Sequence, residues 1–186
     1  YLRLSAFASW QSQWRADGWV IQEVEYKVTE PVAVLEDAPE CRIHGRIDRI
    51  DYHPAKATYA IFDYKTSESS DSPESSHKSS RPPGWSDLQL PMYRHLAKGI
   101  TKDAPILLGY IGLGKELGKI GAQIASWDDA TLLDADQTAV DVIRAIHNGE
   151  FSESSDNLDV KFDSYAELLG RTTLDHPGLQ LKEISS

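Results

Sequence analysis

The residue pattern predicts an α/β chain with a central mixed β-sheet flanked by helices. Period-two alternation of apolar and polar residues marks three successive strands between residues 19 and 66. Two further strands follow between residues 106 and 127. Apolar stripes at helical spacing precede, separate and follow these strand groups, giving the order α-β-β-β-α-β-β-α.

The first helix spans residues 2–17, with Leu4, Phe7, Trp10 and Trp14 on one stripe, and Gly18 stops it. That stripe suits a face packed on the core; a platform for stacking bases, extended by Trp19, is the alternative. Trp19–Val28 alternates as a strand, with Val20, Val24, Tyr26 and Val28 opposite Ile21, Glu23, Glu25 and Lys27. Pro31 either ends this strand or confines it to an edge. Arg42–Tyr52 and Thr58–Thr66 are the next strands, joined through Pro54-Ala55-Lys56, so the three form an antiparallel meander.

Asp87 caps a helix over Leu88–Lys98, where Pro91 is tolerated because it lies near the first turn. Ile106–Leu113 and Lys119–Trp127 complete the sheet. Asp128 or Asp129 caps the last helix, which runs to His147 and is stopped by Gly149. Residues 67–84 are serine-rich and close on Pro82-Pro83-Gly84; such a composition cannot offset the entropy of ordering, and a disordered surface insertion is expected. Residues 152–186 read as a polar C-terminal extension with a short helical stretch near 165–169.

Composition limits the functional classes. A length of 186 residues suits one domain with a substantial core. Tyr1 opens the chain and Met92 is its only methionine, so residues 1–186 are expected to be a single domain excised from a longer polypeptide. No apolar run of about 18 residues exists, so no membrane partner is expected. Cys41 is the only cysteine, which excludes an internal disulfide and suits a cytoplasmic location. No two histidines have the i, i+4 spacing of a helical zinc pair. The net charge of −10 argues against strong independent binding to nucleic acid, unless carboxylates are gathered at a metal centre or a partner delivers the strand.

The most informative feature is Gly45-Arg46-Ile47-Asp48-Arg49-Ile50-Asp51, followed by Asp63-Tyr64-Lys65-Thr66 on the next strand. Asp63 and Lys65 are two apart, so a strand sends both side chains from one face. Two carboxylates and an ammonium can hold a hard divalent cation beside an anionic ester, which points to a metal-dependent phosphodiesterase. Downstream, Gln89 and Tyr93 are four apart and share a helix face.

In this order, the G-R-I-D-R-I-D, D-Y-K-T and Q-L-P-M-Y segments resemble the PD-(D/E)XK nuclease superfamily, specifically the RecB-like nuclease domains of AddB-type helicase–nucleases. The resemblance covers about residues 20–150, and Ile146, Gly149 and Phe151 resemble the family's exit from its last core helix. It implies a restriction-endonuclease-like core and a deoxyribonuclease, an exonuclease or endonuclease acting on DNA in repair or recombination, with a helicase subunit or domain as partner. It further implies that Asp48, Asp63 and the backbone carbonyl of Tyr64 ligate Mg²⁺ or Mn²⁺, with Glu25, or failing that Glu23, as an added acidic ligand. Lys65 would orient water and stabilise the transition state. Gln89 and Tyr93 would contact the phosphate backbone or Lys65, and Arg46 and Arg49 would contact DNA.

Two features depart from the family pattern. Residues 1–19 lack the histidine that many relatives carry on an upstream helix. Cys41 alone cannot supply the four cysteines of an iron–sulfur cluster, so none is expected. A catalytically silent module that guides DNA or scaffolds a partner is the competing reading; the complete Asp48, Asp63 and Lys65 set argues against it.

Gly109–Glu116 nearly matches a phosphate-binding loop, but Glu116 replaces the hydroxyl residue and a strand follows instead of a helix. A glycine-rich hairpin is expected there. His44 reads as a strand-surface histidine.

Overall fold

A computed structural model describes residues 1–66, 72–80 and 83–150. Chain contacts separate Tyr1–Asn148, which holds every element below, from Gly149–Ser186. The expected C-terminal extension and its short helix lie outside the described residues.

The sheet has five strands in the order β1-β2-β3-β6-β7. Strands β1 (Val20–Ala33), β2 (Arg42–His53) and β3 (Thr58–Lys65) form the expected antiparallel meander. Strand β6 (Ile106–Gly112) lies parallel to β3, and β7 (Gly121–Ile124) pairs antiparallel with β6. The sheet is therefore mixed. β1 runs beyond Val28, with a register irregularity between Val28 and Val32 that contains Pro31. Its position at the sheet edge accommodates the missing proline N–H.

Alternation along β3 divides the molecule into two packed faces. Phe62 and Ala60 meet Trp19 and Ile111, covered by Phe7, Trp10 and Trp14 of helix α1 (Leu2–Ala16). Trp14 stacks on Trp19 at 4.6 Å between ring centroids with only 8° between planes. The α1 aromatics thus form a packing face, although Leu4 departs from it and lines an open surface hollow with Thr66 and Leu113. On the other face Ile50, Ile61, Leu108 and Tyr110 pack against Leu90, Tyr93 and Leu96 of helix α3 (Gln89–Leu96).

The serine-rich segment requires a correction. Residues 67–71 and 81–82 lie outside the described set, but helix α2 (Pro73–His77) and a two-stranded hairpin, β4 (Lys78–Ser80) with β5 (Pro83–Trp85), occupy most of the rest. Ser72 accepts from the Ser75 N–H at the α2 start, while Pro73 and His77 are buried. The Trp85 ring meets Trp127 edge-on at 5.2 Å. A count of apolar residues misses this anchorage because proline and histidine supply it.

Helix α3 is shorter than expected and is followed by a single-turn helix α4 (Lys98–Thr101). Leu88, not Asp87, holds the N-cap position; the Asp87 carboxylate accepts the Gln89 N–H at 2.7 Å from one residue further out. Helix α5 (Asp129–His147) is capped by Asp128, whose carboxylate accepts from the Thr131 N–H at 2.8 Å. Buried Asp136 joins the two helices through Arg94 and His95. The near-match to a phosphate loop forms β6 and the start of its hairpin; a Cβ on Gly109 would stand 2.5 Å from the Gln123 carbonyl oxygen, which explains that glycine. Among the described residues, no helix is long and apolar enough to cross a membrane.

Candidate metal and phosphodiester site

Asp48 and Asp63 stand one step beyond the last ladder pair of β2 and β3, Arg49 with Phe62. The Asp48 side chain takes over there: Oδ2 accepts the Tyr64 backbone N–H at 3.0 Å. The strands therefore part at the point where their carboxylates meet.

Asp63 is only 5% exposed. Tyr93 donates its hydroxyl to Asp63 Oδ1 at 3.4 Å, and Gln89 Nε2 donates to the Tyr93 hydroxyl at 2.9 Å. The expected Q-x-x-x-Y pair thus reaches the carboxylate and not Lys65. The Lys65 ammonium stands 2.8 Å from Asp63 Oδ2 in an ion pair.

Electrostatics agree with the geometry. Burial pushes the Asp63 carboxyl above the usual carboxylate range; Lys65 opposes this and the nearby Asp48 charge adds to it. Burial also raises the Tyr93 phenol, reinforced by Asp63 and Asp48, so it remains a donor. Two neighbouring carboxylates, one of them buried, favour an added cation. Among the described residues no group of three or more histidine, cysteine, aspartate or glutamate side chains is arranged to hold a metal. Two carboxylates still fit magnesium or manganese, because such ions commonly keep several waters and use one or two carboxylates.

Glu25 is not brought into this pair. It faces Asp48 across the β1–β2 ladder, between Val24 with Arg49 and Tyr26 with Ile47, but its backbone is left-handed at φ 53°. Its carboxylate turns to Arg46 at 2.8 Å, in an exposed ion pair. Glu23 lies further along β1, across from Ile50. Arg46 remains at the surface, in its ion pair with Glu25.

Arg49 needs correction as a DNA contact. Its side chain is 1% exposed and lies on the α1 face, opposite the carboxylates. Nε and Nη2 each donate to Asp51 at 2.7 Å, while Nη1 reaches Gln11 and the Tyr64 hydroxyl. Trp14 Nε1 also donates to Asp51, at 2.7 Å. The second half of the G-R-I-D-R-I-D motif is therefore a buried clasp between β2 and α1.

Sequence reasoning missed Tyr110 and His77. Tyr110 is the β6 partner of Asp63 in the parallel ladder, and Lys65 Nζ lies 4.8 Å from its ring centroid. Only the parallel register brings it there, and a single sequence does not reveal that register.

Comparison with known proteins agrees with this arrangement. No curated protein matches the chain. Residues 2–157 match the family model of the PD-(D/E)XK nuclease superfamily, whose members are generally metal-dependent nucleases. A mixed five-stranded sheet flanked by helices, with an Asp-x-Lys strand at its centre, accords with that match, and the chain belongs to the PD-(D/E)XK nuclease superfamily.

Proposed function

We propose that this domain is a metal-dependent deoxyribonuclease of the RecB-like type, hydrolysing DNA phosphodiesters during repair or recombination beside a helicase subunit or domain, in the cytoplasm. The observation that carries the reading is the buried Asp63 carboxylate, paired with Lys65 at 2.8 Å and set beside Asp48 where the two strands part.

Asp48, Asp63 and the Tyr64 carbonyl would hold Mg²⁺ or Mn²⁺. Such an ion, when bound, neutralises a non-bridging phosphate oxygen and eases water deprotonation. Gln89 and Tyr93 fix the Asp63 carboxylate through successive hydrogen bonds. Lys65 places a positive charge where the phosphoryl oxygens gain negative charge, the kind of stabilisation that dominates such catalysis. Water adds to phosphorus as the bond to the 3′ oxygen breaks, leaving a 5′-phosphate and a 3′-hydroxyl. Arg46, exposed beside Glu25, would contact the strand.

The test is Mn²⁺-dependent cleavage of single- and double-stranded DNA by wild type, Asp63→Ala and Lys65→Ala. Loss in both variants supports the assignment; unchanged rates refute it. Calorimetric titration separates the alternative of a silent module that guides DNA. A module of that kind has no need of a cation that Asp48→Ala abolishes.

A further inference from the structure

We propose that His77 and Tyr110 position Lys65, and that the serine-rich segment brings His77 into the fold for this purpose. The inference rests on the nuclease reading above and extends it to residues with no assigned role.

His77 is fully buried, yet both ring nitrogens have partners. Nδ1 lies 2.7 Å from the Asp87 carbonyl oxygen, which can only accept, so Nδ1 carries the hydrogen. In the neutral ring Nε2 is then the acceptor, and the Tyr110 hydroxyl donates to it. Trp127 closes over the imidazole edge-on at 5.4 Å. Tyr110, itself 2% exposed, is thereby fixed in orientation, and its ring face carries the Lys65 ammonium.

The opposite arm of this arrangement returns to the same site. Asp87, which receives the His77 N–H on its carbonyl, uses its carboxylate to accept the Gln89 N–H. Gln89 holds Tyr93, and Tyr93 holds Asp63. His77 is thus the link between the residue beneath Lys65 and the chain behind Asp63. An anchor that only tied down a loop could be apolar. Burying an imidazole is costly unless both nitrogens are satisfied; here Nε2 is spent on the tyrosine beneath Lys65, and Nδ1 on the residue that holds the Gln89 end of the chain leading to Asp63.

The test uses Tyr110→Phe, which keeps the ring and removes only the hydroxyl, together with His77→Leu and His77→Gln. Gln retains an acceptor for Tyr110. The first readout needs neither metal nor activity: the Lys65 ε-methylene protons, assigned by comparison with Lys65→Arg, should be shifted upfield by the Tyr110 ring. We expect that shift to shrink in Tyr110→Phe and His77→Leu and to persist in His77→Gln. With Mn²⁺ and DNA, kcat should fall about 10–100-fold in the first two, with KM and Mn²⁺ affinity unchanged. His77→Gln should recover most of the rate. Because the effect passes through Lys65, Tyr110→Phe should add nothing to the loss caused by Lys65→Ala. Should His77→Leu fail to fold, Tyr110→Phe decides. An unaltered shift and an unaltered kcat in folded Tyr110→Phe overturn the proposal. If the shifts change as expected and wild type does not cleave DNA, the positioning stands and the nuclease reading alone fails.

Discussion

Asp51→Asn separates two aspartates that the G-R-I-D-R-I-D motif presents as equivalent. Asp51 is fully buried and receives three hydrogen bonds of 2.7 Å, two from Arg49 and one from Trp14. Burial works to lower the Arg49 pKa, but the bonds and charge of Asp51, together with Tyr64, outweigh it and hold the guanidinium charged. An asparagine would therefore leave an uncompensated charge beneath α1. Breaking a buried pair from one side costs about 3–5 kcal/mol. With a urea dependence of roughly 1–3 kcal/mol per molar, the unfolding midpoint should fall by about 1–5 M. Far-UV circular dichroism across a urea series measures it. Asp48→Asn is the internal comparison: an amide oxygen can still accept the Tyr64 N–H, so stability should hold while Mn²⁺ affinity drops. An Asp51→Asn midpoint indistinguishable from wild type would refute the view that this half of the motif is a structural clasp.

Lys65→Ala and Asp63→Ala should each lower Mn²⁺-dependent DNA cleavage by roughly 100-fold or more, measured as initial rates on a labelled oligonucleotide. The Asp63 carboxyl titrates above its ordinary value, so the folded state binds more protons between the unfolded and folded pKa values. Its contribution to stability is therefore full below the unfolded value and lost as pH rises through the raised one. Asp63→Asn should consequently match or exceed wild-type thermal stability at neutral pH and flatten this part of the pH profile; a lower midpoint at pH 7 would contradict the burial argument. Gly109→Ala forces a Cβ against the Gln123 carbonyl and should destabilise by about 1–3 kcal/mol in chemical denaturation. Arg46→Ala, which opens only an exposed ion pair, should change the unfolding free energy by less than about 1 kcal/mol.

Local periodicity made the meander and the Asp63/Lys65 face readable, because alternation and turn residues act within a few positions of each other. The helix carrying Gln89 and Tyr93 was readable for the same reason. Arg49 was misread because a charged strand residue is ordinarily solvated; the signal available was Asp51, of opposite charge and two positions on, hence on the same face. Glu25 alternates correctly in the sequence, yet its left-handed backbone redirects it to Arg46, which no pattern of side-chain polarity reveals. His77 lay in a stretch whose composition argued for disorder. Its burial depends on Tyr110 and Asp87, neighbours supplied by a parallel strand and by the approach to α3.

The near-parallel Trp14 and Trp19 indoles, 4.6 Å apart, have an optical consequence. Chromophores that close share their excited states, so the pair should give an excitonic couplet in the circular dichroism spectrum. One indole belongs to α1 and the other immediately precedes the edge strand, so the contribution of this pair is lost when that helix lifts away, while that of Trp10 and Trp14, both on α1, stays with the helix. The protein thus carries its own label-free gauge of helix docking, readable in real time during denaturation or strand binding.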